Sequence, residues 1–249
     1  MLIVGCGCAL AQPIEPTRTT IDLVASRGSL TSGLPDATAL NLRGTWDLPG
    51  GDVLRAEGLD ERKFASRGGI GAIGYTKVLS PDWAVAGTLA LGHGGINWAR
   101  QRVDVEASTK WGQSRAIVTR VALYHAAFDG ARSDRGLRLG VVAYVGVVLE
   151  AGVTLNVSNP GSVHSQMPFV SATVGSDGDQ YFSLRASAGS EAYQAIGAGQ
   201  QLVDFNSRSL GVNWRRWIDR RWGLTVQAER YHNPTYNRTT LGAGLFAQW

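Results

Sequence analysis

The chain has 249 residues, of which 44% are hydrophobic and 32 are glycine, and its formal net charge is +4. Its apolar residues never form the run of about eighteen that a membrane-spanning helix requires, so such helices are excluded. The basic residues are scattered along the chain, and the positive charge therefore does not indicate a nucleic-acid partner. The length fits a single domain.

The N-terminus is predicted to be a signal peptide that covers residues 1–11. A short apolar segment precedes the sequence Ala-Leu-Ala at 9–11, which has the small-x-small form of a signal-peptidase site. A competing interpretation is a lipobox in which Cys6 is acylated. Cleavage after residue 11 would remove Cys6 and Cys8, the only two cysteines, and leave no thiol for a disulfide or a metal site.

Residues 12–249 are predicted to form one all-β domain, an antiparallel up-and-down transmembrane β-barrel. Segments of about ten residues alternate between apolar and small or polar side chains, as expected for strands whose two faces meet lipid and lumen. Fourteen strands are predicted, and twelve are the alternative if the segments between 52 and 78 are misjudged. The predicted strands are 17–28, 37–48, 52–62, 67–78, 83–92, 97–109, 113–126, 134–144, 147–157, 165–175, 180–189, 206–218, 222–232 and 237–249.

Tight turns are predicted to alternate with longer connections. Residues that favour turns stand at 49–51, 80–82, 110–112, 176–178 and 219–221. The longest connection is predicted at 190–204, on the opposite side. Bacterial barrels have short periplasmic turns and longer extracellular loops, so the tight turns and both termini are assigned to the periplasmic side.

The tryptophans agree with this orientation. Seven of the eight lie near predicted periplasmic strand ends, whereas Trp98 lies toward the outer rim with Tyr231 and Tyr236. Aromatic rings collect at membrane interfaces, so the pattern predicts aromatic belts at the two rims. The seven are Trp46, Trp83, Trp111, Trp214, Trp217, Trp222 and Trp249.

The last strand has the clearest alternation. Its lipid face is predicted to carry Leu241, Ala243, Leu245, Ala247 and Trp249, and its lumen face Gly242, Gly244, Phe246 and Gln248. A terminal aromatic residue resembles the signal that the outer-membrane barrel-assembly machinery reads, so Trp249 is predicted to be an assembly signal. The bacterial outer membrane is the expected location, with that machinery, outer-membrane lipid and lipopolysaccharide as partners.

The same alternation predicts which charged side chains face the lumen. Arginines and carboxylates are interleaved among them, which favours ion pairs that brace the wall, and an open polar conduit for a hydrophilic substrate is the alternative. The predicted lumen-lining residues are Arg43, Asp47, Arg55, Glu57, Arg102, Asp104, Glu106, Arg120, Arg138, Glu150, Arg185, Arg215 and Glu229.

No catalytic residue, cofactor site or metal site is predicted. Residues 69–74 match Gly-x-Gly-x-x-Gly, but the pattern continues as a strand instead of opening a helix. Lipid-A deacylase and phospholipase barrels of similar size need a paired His and Ser. His164 and Ser165 are adjacent, and in a strand their side chains point to opposite faces. The four histidines, His93, His125, His164 and His232, are dispersed and predict no shared metal or hydrolase site.

Short barrel-like motifs recur between residues 67 and 249. They are Gly136-Leu137-Arg138, Tyr144-Val145-Gly146, Gln180-Tyr181-Phe182, Ser207-Arg208-Ser209-Leu210, Trp222-Gly223-Leu224, Tyr236-Asn237-Arg238 and Gly244-Leu245. In this layout the chain resembles the YaiO-type outer-membrane β-barrels. The resemblance implies a role in envelope or exopolysaccharide-related export or surface structure, with polysaccharide or a periplasmic export partner. Some relatives carry tetratricopeptide repeats ahead of the barrel, and this sequence contains none.

The expected function is therefore that of a non-enzymatic outer-membrane barrel. Two alternatives remain at the level of sequence: an outer-membrane enzyme of the lipid-A deacylase or phospholipase type, and a channel for small hydrophilic solutes. An enzyme would bring two or three titratable groups with perturbed pKa values together near the rim. A channel would have a continuous polar lumen.

Overall fold

A computed structural model describes residues 18–197 and 200–249, and shows fourteen antiparallel strands closed into a barrel. Each strand pairs with its neighbours in the chain, and the first strand pairs with the last. The strands are β1 (Thr19–Leu30), β2 (Ala37–Asp47), β3 (Val53–Lys63), β4 (Ser66–Val78), β5 (Trp83–His93), β6 (Gln101–Trp111), β7 (Ile117–Ala127), β8 (Ser133–Tyr144), β9 (Val148–Asn159), β10 (Val163–Ser176), β11 (Gln180–Gly197), β12 (Gln200–Trp217), β13 (Trp222–His232) and β14 (Asn237–Gln248).

The predicted fold class is confirmed with fourteen strands, so the twelve-strand alternative is wrong. The glycine-rich motif at 69–74 lies within β4, as the alternation predicts. Within 18–197 and 200–249, helices long and apolar enough to span a bilayer are absent. The predicted signal peptide, with Cys6 and Cys8, lies outside the described residues.

Two predicted connections are wrong. The long loop expected at 190–204 is the upper part of a hairpin, because β11 and β12 each have 18 residues and stay paired from Gln180↔Arg216 to Gly197↔Gln200. Small and polar residues in this segment hid its alternation, and the positive φ of 49° at Asp204 interrupts it. The turn expected at 110–112 begins later, because β6 continues to Trp111.

The two faces of the wall follow the strand register. Leu23 of β1 lies opposite both Leu245 of β14 and Leu42 of β2, and all three side chains are exposed on the outer face. Farther around the wall, Leu123 of β7 and Leu139 of β8 are likewise exposed on the outer face. Exposed leucine and valine side chains on one face only are what a lipid-facing barrel wall requires.

The periplasmic turns and both termini lie at one end of the barrel. The turn between β2 and β3 is anchored by Asp52, whose carboxylate accepts hydrogen bonds from Lys77 Nζ (2.8 Å), the Tyr75 hydroxyl (2.5 Å) and the Val78 backbone N–H (2.9 Å). These hydrogen bonds, with that of Lys77 the largest contribution, lower the pKa of Asp52 to about 2.

The aromatic belt is partly as predicted. Trp83, Trp111, Trp222 and Trp249 are exposed on the outer face at the periplasmic end. In contrast, Trp217 is buried on the inner face, because odd positions of β12 face the lumen. Trp98, Tyr231 and Tyr236 lie at the extracellular end, but all three are buried toward the interior, so the belt expected there is wrong.

The register of β14 makes Trp249 and Gln248 a matched pair for testing assembly. We expect Trp249→Asp to reduce the yield of heat-modifiable, folded barrel in outer-membrane fractions several-fold, because it removes the terminal aromatic ring and places a charge on the outer face. Gln248→Asp is the control. The Gln248 side chain accepts a hydrogen bond from Arg18, so a carboxylate is accommodated there. Equal yields from the two variants would contradict the predicted role of Trp249.

Candidate functional site

The residues predicted to line the lumen all lie on the face of the wall opposite the exposed apolar side chains. Pairings such as Arg43↔Glu57 and Arg43↔Asp22 place them side by side on the inner face. They are distributed as Arg43 and Asp47 on β2, Arg55 and Glu57 on β3, Arg102, Asp104 and Glu106 on β6, Arg120 on β7, Arg138 on β8, Glu150 on β9, Arg185 on β11, Arg215 on β12 and Glu229 on β13.

Asp104 lies at the centre of the first ion-pair network. Its buried carboxylate accepts hydrogen bonds from Arg102 Nε (2.7 Å) and Nη2 (2.9 Å) and from Arg138 Nη2 (2.8 Å). Arg138 reaches from β8 across β7, where the buried Ala122 leaves room for its side chain. The Arg102 guanidinium also lies 4.3 Å from the ring centroid of Tyr124. The Asp104 carboxylate therefore joins β6 to β8, and the ring of Tyr124 adds β7 to the network.

Glu150 of β9 links β7 and β11 in a second ion-pair network. Its carboxylate lies 3.5 Å from Arg120 of β7 and 3.8 Å from Arg185 of β11. The Arg185 guanidinium is also 3.7 Å from the ring centroid of Phe169 on β10. Since each arginine is held by a carboxylate and, for Arg185, an aromatic face, the network restricts these side chains to the wall.

The periplasmic part of the lumen contains an ion pair surrounded by aromatic rings. Arg215 of β12 donates to Asp22 of β1 at 2.5 Å, with β13 and β14 between them. The Arg215 guanidinium is 3.5 Å from the ring centroid of Phe246. Trp217 packs edge-to-face against both Phe246 (4.8 Å) and Tyr181 (5.3 Å). Charged and aromatic groups thus fill this side of the lumen together.

A second contact at the periplasmic end links two segments of the rim. Arg18, just before β1, forms a bidentate pair with Asp177 in the turn between β10 and β11 and also donates to Gln248. Three strands, β14, β13 and β12, separate β1 from that turn along the wall. The side chain of Arg18 therefore bridges non-adjacent parts of the periplasmic rim.

The remaining predicted residues have simpler surroundings. Arg43 lies 3.4 Å from Glu57, and Glu229 lies 2.7 Å from Arg238 on the neighbouring strand. Asp47 is exposed at the periplasmic end of β2. The arginines and carboxylates of the inner face are thus paired mainly with each other.

At the extracellular end, apolar side chains from strand ends and from connections pack together inside the barrel. The ring centroids of Phe64 and Tyr236 are 5.6 Å apart, as are those of Tyr231 and Tyr236. Because Phe64 lies between β3 and β4 and Ile196 is near the end of β11, the contact spans several strands. We call this group the mouth cluster; it comprises Phe64, Ile196, Tyr231 and Tyr236, with Leu30, Leu34 and Leu202 packed against it.

Polar groups of the mouth cluster are satisfied by neighbouring side chains. The Tyr231 hydroxyl donates to Glu191 (2.8 Å), and the Tyr236 hydroxyl donates to Gln194 (3.0 Å). Asn233 accepts from the Tyr236 backbone N–H at 2.9 Å. Burial raises the pKa of Tyr236, which lies in the loop before β14, to about 12. Its hydroxyl therefore stays protonated and keeps its donor role at neutral pH.

Trp98 is buried at the same end of the barrel, next to residues of β3. Its Nε1 donates to Glu61 at 3.2 Å, and Lys63 Nζ lies 5.5 Å from its ring centroid. The ring lies against Gly68, where any side chain would collide with it. The loop between β5 and β6 is thereby held inward over the lumen.

Between the two ends lies a polar cavity of about 340 Å³. Serine, threonine and amide side chains line it together with seven charged residues: Glu61, Lys63, Arg185, Glu191, Arg208, Glu229 and Arg238. The uncharged polar side chains include Ser183, Ser187, Ser209, Asn213 and Gln227. These uncharged groups are suited to hydroxyl-rich or strongly hydrated molecules, because each offers a hydrogen-bond donor or acceptor without a fixed charge.

Several of these residues were missed in the sequence. Asp22 follows the alternation of β1 and could have been included with the lumen residues. Phe64 could not, because it lies in a connection that folds inward, and no local pattern indicates that a loop residue is buried. Ile196 lies in β11, in a segment that was predicted to be a loop. Glu191 and Gln194 were assigned to a loop and are strand residues.

The histidines lie apart on the outer face of four strands, near their extracellular ends. His164 faces outward and Ser165 inward, as adjacent strand positions must. Among residues 18–197 and 200–249, no three histidine, cysteine, aspartate or glutamate side chains are grouped closely enough to hold a metal ion.

The comparisons with known proteins agree on fold and family. The sequence profile of the YaiO membrane beta barrel domain matches residues 18–194. No curated protein sequence matches. Among solved structures, a bacterial polysaccharide outer membrane secretin is similar at 10% identity with a TM-score of 0.59, over 92% of this chain and 98% of the other.

Two further structures are similar. OccAB1 of Acinetobacter baumannii has 8% identity and a TM-score of 0.55, over 93% of this chain and 96% of the other. An anion-selective porin from Comamonas acidovorans has 10% identity and a TM-score of 0.53, over 94% and 99%. At such low identity these likenesses show the fold alone.

The Asp104 network predicts a measurable coupling between strands. We expect Arg138→Gln to lower the free energy of unfolding in lipid vesicles by about 1.5–3 kcal/mol, because a charge-assisted hydrogen bond to a buried carboxylate is lost. A double-mutant cycle with Asp104→Asn would then give a coupling of about 0.5 kcal/mol or more.

Arg135→Gln is the control for this cycle. It makes the same change on the same strand, but Arg135 faces outward and pairs with no side chain in the described ranges 18–197 and 200–249. Its effect on unfolding should stay within about 0.5 kcal/mol. An equal loss of stability from the two arginine variants would show that the inner ion pairs do not brace the wall.

Proposed function

The chain belongs to the YaiO membrane β-barrel family, and from this we propose that it is a non-enzymatic barrel of exopolysaccharide-related export or surface structure. The protein is a bacterial outer-membrane β-barrel. The observation that carries the proposal is that side chains project into its lumen near both ends and narrow it, with a cavity between them. A freely open porin would need neither arrangement.

The contacts at the two ends favour a lumen that is restricted at rest. At the periplasmic end, Arg18 joins two rim segments that three strands separate, and Arg215 is held among aromatic rings. At the extracellular end, the mouth cluster buries Phe64 and Tyr236 to 3% and 1% exposure. Both arrangements must rearrange before a large hydrophilic molecule passes, which supports assisted export or a static structural barrel over a simple solute channel.

The chemistry of the cavity supports a hydroxyl-rich ligand. The hydroxyl oxygens of Ser187 and Ser209 lie 2.9 Å apart. Asn213 on β12 and Gln227 on β13 add amide groups to the same lining. Sugars are recognised by such donors and acceptors, and the same groups tolerate a sliding polymer because none forms a strong charge pair with it. One structural neighbour carries the name of a polysaccharide secretin, which accords with this proposal.

The arrangement of titratable groups supports a non-enzymatic role. Serine hydroxyls of the cavity lie on the inner face, whereas all four histidines face outward, so a serine activated by a histidine does not form there. Inner carboxylates such as Asp104 and Glu150 are held by arginines. These pairs occupy the carboxylate oxygens, which a general acid or base must instead present to a substrate.

Planar-bilayer conductance tests the restricted lumen. We expect the wild-type barrel to give no steady current, because side chains narrow the lumen at both ends. Phe64→Ala combined with Tyr236→Ala should produce intermittent openings, since it removes two rings of the mouth cluster. Phe182→Ala is the control, because Phe182 is exposed on the outer face. A steady wild-type current whose ion selectivity changes when Arg120 and Arg138 are replaced by glutamine would place the protein among the channels.

The polysaccharide role needs a separate test in cells. We expect deletion of the gene to reduce exported exopolysaccharide or to alter its retention at the surface, and expression of the wild-type chain to restore it. Unchanged polysaccharide in both the medium and the surface fraction would contradict this part of the proposal.

A further inference from the structure

The outer wall carries a row of cationic and imidazole side chains near its extracellular end. His125 of β7 lies directly opposite Arg135 of β8, Arg135 lies opposite Val157 of β9, and Val157 lies opposite His164 of β10. His125, Arg135 and His164 are all exposed. Three basic groups thus stand in one row across four strands, on the side of the wall that faces lipid.

An apolar groove lies directly below this row. The next outward positions toward the periplasm are Leu123, Leu137 and Leu155, which follow one another in register across β7, β8 and β9. Together with Arg135 and His164 they line a surface depression of about 700 Å³. The depression has an apolar floor and a basic upper edge.

Arg135 differs from Arg27 and Arg67, two arginines that also lie on the outer face at this end. Arg27 is paired with Asp36 at 2.7 Å, and Arg67 is paired with Asp60 at 2.7 Å. Arg135 has no such carboxylate or other polar partner among residues 18–197 and 200–249. A guanidinium is always charged at neutral pH, and an unpaired one near the outer rim is available to bind an anionic group of the surrounding lipid.

We propose that this groove binds the phosphorylated lipid part of lipopolysaccharide, with a phosphate on Arg135 and an acyl chain along the leucines. The groove lies at the end opposite the periplasmic turns and termini, where the outer leaflet meets the barrel. A guanidinium binds phosphate oxygens in a bidentate manner, and the imidazoles of His125 and His164 add N–H donors beside it. This site lies on the outer wall and is independent of the function proposed for the lumen.

Binding of fluorescent diphosphorylated lipid A to the purified barrel in detergent micelles tests the proposal. We expect Arg135→Gln to weaken binding about tenfold, because one charge-assisted phosphate contact is lost. Arg27→Gln is the matched control: it makes the same replacement on the same face, but Arg27 is already paired with Asp36, so affinity should change less than about twofold. Heat-modifiable migration of each variant confirms that it is folded.

Two further probes identify the ligand. Lipid A without phosphates should bind the wild-type barrel about as weakly as diphosphorylated lipid A binds the Arg135→Gln variant. Phosphatidylglycerol, which has one phosphate and fewer acyl chains, should bind more weakly than lipid A. Equal binding of phosphatidylglycerol and lipid A would overturn the assignment to lipopolysaccharide. Unchanged affinity in the Arg135→Gln variant would overturn the site itself.

Discussion

Closure of the sheet between β1 and β14 is the constraint on which the rest of the structure depends. In the hydrocarbon part of a membrane no water is present to hydrogen-bond a free strand edge, so every backbone N–H and C=O must find a partner in the protein. The pairing runs from Thr20↔Gln248 to Leu30↔Arg238. Beyond it, the backbone N–H groups of Thr19 and Trp249 each donate to the other residue's carbonyl oxygen, at 2.8 and 3.0 Å. The last residue thus takes part in closing the barrel.

Closure also fixes the chemistry of both faces. Once the wall is continuous, each side chain points either to lipid or to the lumen, and a shift of one residue would exchange the two sets. A charge at the middle of the lipid band costs a few kcal/mol, so the arginines and carboxylates at that depth lie in the interior, and outward ones such as Arg27 lie near the extracellular rim. There they meet opposite charges on nearby strands, and carboxylates such as Asp104 link parts of the wall that the backbone does not join directly.

The sequence was sufficient for features that depend on this alternation alone. Strand number, the inner position of residues such as Arg102 and Arg215, and the outer position of Trp249 all follow from a period of two, because neighbours in a barrel wall share the same two faces. The sequence was insufficient to predict features formed by connections that fold back into the lumen. The burial of Trp98 depends on Gly68 of β4 and Glu61 of β3, and Glu61 lies 37 residues earlier in the chain. The hairpin at 190–204 was missed because its small and polar residues lack a lipid face.

The mouth cluster sets an energetic condition on any transport through the lumen. Opening the extracellular end would expose side chains such as Phe64, Ile196 and Tyr236, and fully exposing even two of them costs at least about 3–4 kcal/mol. Each 1.4 kcal/mol is a factor of ten, so the open form would be populated at about one part in several hundred or less without help. A partner or substrate that opens the barrel must bind the open form more tightly than the closed one by at least this factor. Export through this lumen therefore requires a ligand with differential affinity for the open state, whereas a structural role requires none.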